Sequence, residues 1–189
     1  TPEQARAAVQ VGRQVVADAA DRGVDVLALG EMGIGNTTPA TAVAARLLGR
    51  PALELTGPGT GLDSDGVRRK ADLIQRALDR NGPAEPLCAL ADLGGLELAA
   101  LAGAMLEARD QRIAVLLDGF IVSSAALVAT RMEPEVRNAL IATTASAEPG
   151  HRAVLAALGL TSPPLLDWGL RLGEASAACL ALPLARNAC

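Results

Sequence analysis

Gly30-Glu31-Met32-Gly33-Ile34-Gly35-Asn36-Thr37-Thr38 is the stretch around which the rest of the chain is read. Ahead of it stands Val24-Asp25-Val26-Leu27-Ala28-Leu29, a short apolar run of the kind that forms a buried strand. Behind it, Pro39 to Gly49 is alanine-rich and helix-forming. A strand therefore ends, a loop with three glycines follows, and a helix opens. Glycines at such a place let the backbone approach a ligand closely. Free N–H groups at a helix start favour an anion, most often phosphate. Glu31 adds a carboxylate that a plain turn does not need. The loop fits neither the P-loop pattern nor Gly-x-Gly-x-x-Gly, so taken alone it leaves the ligand open.

Working outward, residues 2–21 carry Ala5, Val9, Val15, Val16 and Ala19 at roughly helical spacing, with Pro2 at the start and Gly23 past the end. A second glycine loop, Gly57-Pro58-Gly59-Thr60-Gly61-Leu62-Asp63, follows the helix expected over 38–48. Asp63 is placed to cap a helix over about 64–80. Arg68, Arg69 and Lys70 fall near the start of that helix, where positive charge opposes the dipole. They read either as a solvated run or as a site for an anion. Asn81-Gly82-Pro83 is a break, and helical patterns continue over 84–91 and 95–109. Ile113-Ala114-Val115-Leu116-Leu117 is a second strand, ending in Asp118-Gly119-Phe120 before a helix over about 122–131. Asp118 either lines a site or caps that helix. A third strand is expected over 138–144, a helix over 152–158, and a last helix beginning at Glu174.

The strands do not alternate with polar residues, which indicates a parallel sheet covered by helices on both faces. The fold class is therefore α/β, a Rossmann-like parallel sheet in a single domain over 1–189. Ligands of such sheets sit beyond the carboxyl ends of the strands, where Gly30–Thr38, Asp118–Phe120 and Thr143–His151 fall. Half of the 189 residues are hydrophobic, with Phe120 and Trp168 the only aromatic ones, so the core is aliphatic. A net charge of −4 offers no basic footprint for nucleic acid, and no tract suggests a membrane surface. The first residues are polar and unlike a signal peptide. Cys88, Cys179 and Cys189 are widely spaced, and His151 is the only histidine. That pattern argues against a zinc site or a disulfide framework and for a reducing cytoplasm. The cysteines are expected as core filler and a terminus, and His151 as a loop hydrogen-bonder.

Four segments together carry a resemblance. They are 30–38, Gly59-Thr60-Gly61-Leu62-Asp63 with Lys70 following, Leu117-Asp118-Gly119-Phe120-Ile121, and Ser146-Ala147-Glu148-Pro149-Gly150-His151. Arg171-Leu172-Gly173-Glu174 is a fifth. In this order and spacing they resemble the nicotinate-nucleotide:dimethylbenzimidazole phosphoribosyltransferase family. The likeness covers the whole chain but only the C-terminal part of the family's length. Thr1 in place of an initiator methionine fits that expectation. Pro58 stands where an arginine is usual, and Ala175-Ser176-Ala177 replaces a glycine-containing run.

The resemblance implies transfer of the 5-phosphoribosyl group of nicotinate mononucleotide to dimethylbenzimidazole, giving α-ribazole 5′-phosphate and nicotinate for the lower ligand of cobalamin. It implies no cofactor or metal, and it implies a homodimer. By resemblance Glu174 is the general base that takes the azole proton. Burial against neighbours such as Leu172 is expected, to offset the helix-start position and make that carboxylate basic enough. Glu31 faces the cationic C1′, or shares the base role. Gly33, Gly35 and Gly59 bring backbone to the phosphate and Lys70 brings charge. Met32, Leu172 and Gly173 receive the azole. The alternative is a remnant that binds nucleotide without turning it over.

Overall fold

Thr1 opens the first helix with a reciprocal cap: its hydroxyl accepts the Gln4 N–H, and the Gln4 side chain accepts from the Thr1 amine at 2.9 Å. This helix, α1 (Pro2–Ala20), buries Ala5, Val9, Gly12, Val16 and Ala19 on one stripe. The computed structural model describes residues 1–80, 82–170 and 172–187. Asn81, Arg171 and Cys189, each used in the sequence reading, lie outside the described residues.

The elements then run β1 (Val26–Leu29), α2 (Thr37–Leu48), α3 (Ala52–Leu55), α4 (Ser64–Leu78), α5 (Pro86–Leu93) and α6 (Leu96–Asp110). After β2 (Ala114–Leu117) and α7 (Gly119–Met132), a 3-10 turn over Pro134–Ala139 leads into β3 (Leu140–Ala142). The chain closes with α8 (Pro149–Ala157) and α9 (Ser176–Asn187). As expected, Asp63 caps α4, its Oδ1 accepting the Gly66 N–H at 2.7 Å.

The strands are parallel, in the order β1-β2-β3, with Val26 opposite Ala114 and Val115 opposite Leu140. Alternate residues face opposite ways, so the sheet divides its apolar side chains between two clusters. Leu27, Leu29, Val115, Leu117, Leu140 and Ala142 join the large core built by α1 to α8. Val26, Ala28, Leu116 and Ile141 cluster with Ala175 and residues of α9. Both faces are covered, as a parallel sheet demands, but unequally. Each fully buried aliphatic side chain contributes about 1.5–3 kcal/mol, so the larger cluster dominates stability.

Three expectations are corrected and one element is added. The third strand begins at Leu140 rather than 138, because Pro134 starts a 3-10 turn that runs to Ala139. The short helix α3 was not foreseen. Cys88 is half-buried and Cys179 exposed, so neither fills the core. The last helix begins at Ser176, not Glu174. Gly173, Glu174 and Ala175 have φ of 73°, 55° and 62°, a run of left-handed residues that no helix start contains.

Candidate active site

All three strands point their carboxyl ends at one cavity of about 140 Å³. Glu31 and Thr37 come from the loop after β1, Asp118 to Ile121 from the turn after β2, and Thr144, Ser146 and Glu148 from the segment after β3. Leu170, Leu172, Gly173 and Ser176 close it from the stretch before α9.

The loop after β1 and the stretch before α9 meet backbone to backbone. The Glu174 N–H donates to the Glu31 carbonyl at 3.2 Å. A Cβ on Gly30 would fall 1.8 Å from the Ala175 nitrogen, so only glycine permits this approach. The left-handed run at 173–175 is the other half of the same contact. It turns the chain against Gly30 before α9 can start.

Glu31 is half-buried and accepts a hydrogen bond from the Asn36 side chain. Burial pushes its pKa above the ordinary carboxylate value, while Asn36 and the Gly33 backbone pull it partly back. A Cβ on Gly33 would fall 2.2 Å from Asn36 Nδ2, so this glycine lets Asn36 fold back onto Glu31. Gly35, at φ 92°, makes the turn into α2. Met32 is exposed and lies outside the cavity lining.

The basic run of α4 splits. Arg68 and Arg69 are exposed, but Lys70 is only 8% exposed. Its ammonium donates to Thr37 Oγ1 at 2.7 Å and to the Gly57 carbonyl at 3.1 Å. Burial lowers its pKa, opposed by the nearby Glu148 carboxylate. Glu148 is the residue that sequence reasoning missed, though it stands in a quoted segment. Its Oε1 accepts the Gly59 N–H at 2.8 Å, so that amide is already occupied.

Asp118 is buried, and its Oδ1 accepts the Ala177 N–H at 3.2 Å. It lines the cavity, but the expected alternative, a cap on α7, is not made: its side chain bonds the first turn of α9 instead. Burial raises its pKa, and backbone donors at Ala177, Ala175 and Ala178 oppose this. Glu174 itself is exposed, and the shield expected from Leu172 is missing because Leu172 is 77% exposed. The Glu174 backbone is tied to the cavity wall through Glu31.

The sequence model described as Phosphoribosyltransferase matches residues 1–189 of the chain. The chain belongs to the nicotinate-nucleotide–dimethylbenzimidazole phosphoribosyltransferase family. A member from Pseudomonas putida (strain W619) is 56% identical over 191 residues, covering all of this chain and 54% of that protein. One from Desulforudis audaxviator is 50% identical, over 96% of this chain and 51% of its own length. The crystal structure of CobT from Thermus thermophilus superposes with a TM-score of 0.94 at 47% identity, over all of this chain and 56% of that one. The chain thus spans about half the length of the family members it matches. Among the described residues no helix is long and apolar enough to cross a membrane.

In this family member, Asp118 invites a test that separates site from scaffold. Asp118→Asn keeps an acceptor for the Ala177 N–H but removes a desolvated charge. A raised folded-state pKa penalises the native state at neutral pH, and the penalty fades as pH falls through that value. The Asn variant is therefore expected to equal or exceed the wild type by up to about 1 kcal/mol at pH 7, with the gap closing in acid. Thermal denaturation at pH 7 and pH 4.5 checks this. A variant clearly less stable at pH 7 would show that the charge itself holds α9.

Proposed function

We propose that the chain carries the phosphoribosyl-transfer centre of an enzyme that moves the 5-phosphoribosyl group from nicotinate mononucleotide to 5,6-dimethylbenzimidazole. The products are α-ribazole 5′-phosphate and nicotinate, for the lower ligand of cobalamin. The observation that carries this reading is the backbone junction of Glu31 with Glu174 at the edge of the common cavity, which makes neighbours of two acidic residues far apart in sequence. The name its relatives carry supports the same reaction.

In this reading Glu174 is the general base, and the azole lies between it and Leu172. Its exposure is compatible with a group that becomes covered when the azole binds. Glu31 faces the C1′ that turns cationic as nicotinate leaves, and its raised pKa also suits a share of the base role. Lys70 and Thr37, hydrogen-bonded to each other, receive the phosphate. Gly33 and Gly35 let the backbone approach, while Gly59, its amide held by Glu148, only leaves room beside Thr37 and Lys70. Met32 and Gly173 border the azole. Neither cofactor nor metal enters the chemistry. A homodimer in the cytoplasm belongs to the same proposal.

One observation favours the remnant reading. Met32 and Leu172 are 69% and 77% exposed, and among the described residues nothing stands opposite them to complete an azole pocket. The two readings part in one experiment. The chain, alone and mixed with the N-terminal half of the Pseudomonas putida relative, is incubated with both substrates, and α-ribazole phosphate is followed by chromatography. Glu174→Gln should lower the rate of the mixture by about a hundredfold or more. Wild type and variant equally inert in the mixture would leave only the remnant.

A further inference from the structure

The bonding that continues β3 reaches Ala145, whose N–H donates to the Leu166 carbonyl at 3.3 Å. The next amide belongs to Ser146, which lines the cavity. Its N–H donates to a side chain, Nδ1 of His151, at 3.0 Å. From there the loop closes on itself. The Ser146 hydroxyl accepts the Glu148 N–H at 3.2 Å, and the His151 N–H donates to the Glu148 carbonyl at 3.0 Å. Two side chains fasten this loop to the rest of the molecule. The Glu148 carboxylate accepts the Gly59 N–H, and the imidazole reaches α7.

The contact with α7 fixes the ring. Ser123 is fully buried, and its Oγ lies 3.1 Å from His151 Nε2. The same hydroxyl donates to the Gly119 carbonyl at 2.7 Å. A hydroxyl has one proton, so Ser123 gives it to Gly119 and accepts from Nε2. The imidazole therefore keeps its proton on Nε2 and its lone pair on Nδ1. The Ser146 N–H, the imidazole, the Ser123 hydroxyl and the Gly119 carbonyl form one path in which each proton has one acceptor. Both ends of the path, Ser146 and Gly119, line the cavity, and the ring between them does not.

That placement separates His151 from a histidine that merely fills the core. Strands β2 and β3 are in register only as far as Leu117 and Ala142. Thr143 still bonds the Leu117 carbonyl. Past it, the walls built after β2 and after β3 are joined through the imidazole. The ring touches no reacting group, so whatever it does for a ligand it does through Ser146.

We propose that His151 is a positioning residue for nicotinate mononucleotide. Its Nδ1 holds Ser146, and with it the loop to Glu148, at the distance from the turn after β2 at which the nucleotide is received. Nε2 only orients the ring. This rests on the phosphoribosyl reading of the cavity and adds to it a residue that works from behind the wall.

The two nitrogens can be replaced one at a time. Asparagine puts an acceptor where Nδ1 stands, and glutamine puts a donor where Nε2 stands. The chain and its His151→Gln and His151→Asn variants are titrated with nicotinate mononucleotide by calorimetry, well below the melting temperature of each. Glutamine should weaken binding roughly tenfold, and asparagine should restore it to within about threefold of the wild type. Both variants lose one buried hydrogen bond, so a purely structural role would weaken binding in both, whichever nitrogen is kept. That result, or equal affinity in all of them, would overturn the positioning role and leave the phosphoribosyl reading standing. A second measurement needs no variant. In nitrogen-15 spectra of the wild type, saturating nicotinate mononucleotide should shift the Ser146 amide and His151 Nδ1 while Nε2 keeps its proton. Resonances that stay in place would overturn the positioning role as well. No binding of nicotinate mononucleotide by the wild type would overturn both readings.

Discussion

Gly103→Ala should lower the stability of the chain by about 3 kcal/mol or more, one of the largest effects expected from any single methyl group here. The physical reason lies where α1 crosses α6. A Cβ on Gly103 would fall 2.0 Å from the Val9 carbonyl oxygen, and one on Gly12 would fall 1.8 Å from the Ala100 carbonyl oxygen. Both obstacles are helix backbone, which cannot rotate aside as a side chain would. The helices must separate instead. Separation opens space around Val9, Val16, Leu98 and Met105, and it strains the Arg13 bridges to Glu107 and Asp110, at 3.0 and 2.9 Å. Alanine is the better helix former by about 0.5–1 kcal/mol, which offsets only a fraction of this. Urea denaturation should show a lower midpoint with an unchanged slope, and the melting temperature should fall by roughly 6–12 °C for a chain of this size. The mechanism has a second consequence. Once one glycine has been replaced and the helices stand apart, replacing the other meets an interface already opened. The double variant Gly12→Ala/Gly103→Ala should therefore lose clearly less than the sum of the single losses. Additive losses would mean that the two contacts are independent and that helix separation is the wrong account.

The same two glycines show what kind of information a sequence withholds. Gly12 and Gly103 read as mild helix weaknesses, and their purpose is visible only once two helices 91 positions apart are seen to touch. Glu174 is a similar case. Gly173 followed by a glutamate reads as the acidic first turn of a helix, yet contact with Gly30 holds that turn in left-handed backbone. The strand-loop-helix order, by contrast, was legible because apolar runs and glycine breaks are local signals. Lys70 was legible too, with more care. Gly66, Lys70, Ala71 and Ile74 share the buried stripe of α4, while Arg68 and Arg69 lie off it. Glu148 was not legible: a glutamate before Pro149 reads as a cap, and its bond to Gly59 spans 89 positions.

Acidification should expose a different weakness, centred on His151. The ring is 2% exposed and stands between two segments that line the cavity. Its Nδ1 accepts the Ser146 N–H at 3.0 Å. Ser123 Oγ lies 3.1 Å from Nε2 and itself donates to the Gly119 carbonyl at 2.7 Å. With Nδ1 accepting and the serine proton already used, the neutral ring carries its proton on Nε2 and donates it to Ser123. A second proton would have to enter at Nδ1, directly against the Ser146 N–H. Burial accordingly pushes the pKa down to about 4. The unfolded chain takes up that proton near the ordinary value of about 6.5. The folded chain is then at no disadvantage above pH 6.5 and loses stability steadily as pH falls from there to about 4. The full loss is about 3 kcal/mol. Glu31 and Asp118 act in the opposite sense, since their raised values favour proton uptake by the folded state and recover stability in acid. His151→Gln separates the contributions, because the chain has one histidine and the variant keeps only the carboxylate response. Unfolding free energies at pH 7, 5.5 and 4.5 should fall for the wild type relative to the variant. The imidazole proton resonances, assignable without ambiguity, should not move until the folded protein nears pH 4. A histidine titrating close to 6.5 in the folded state would remove the effect altogether.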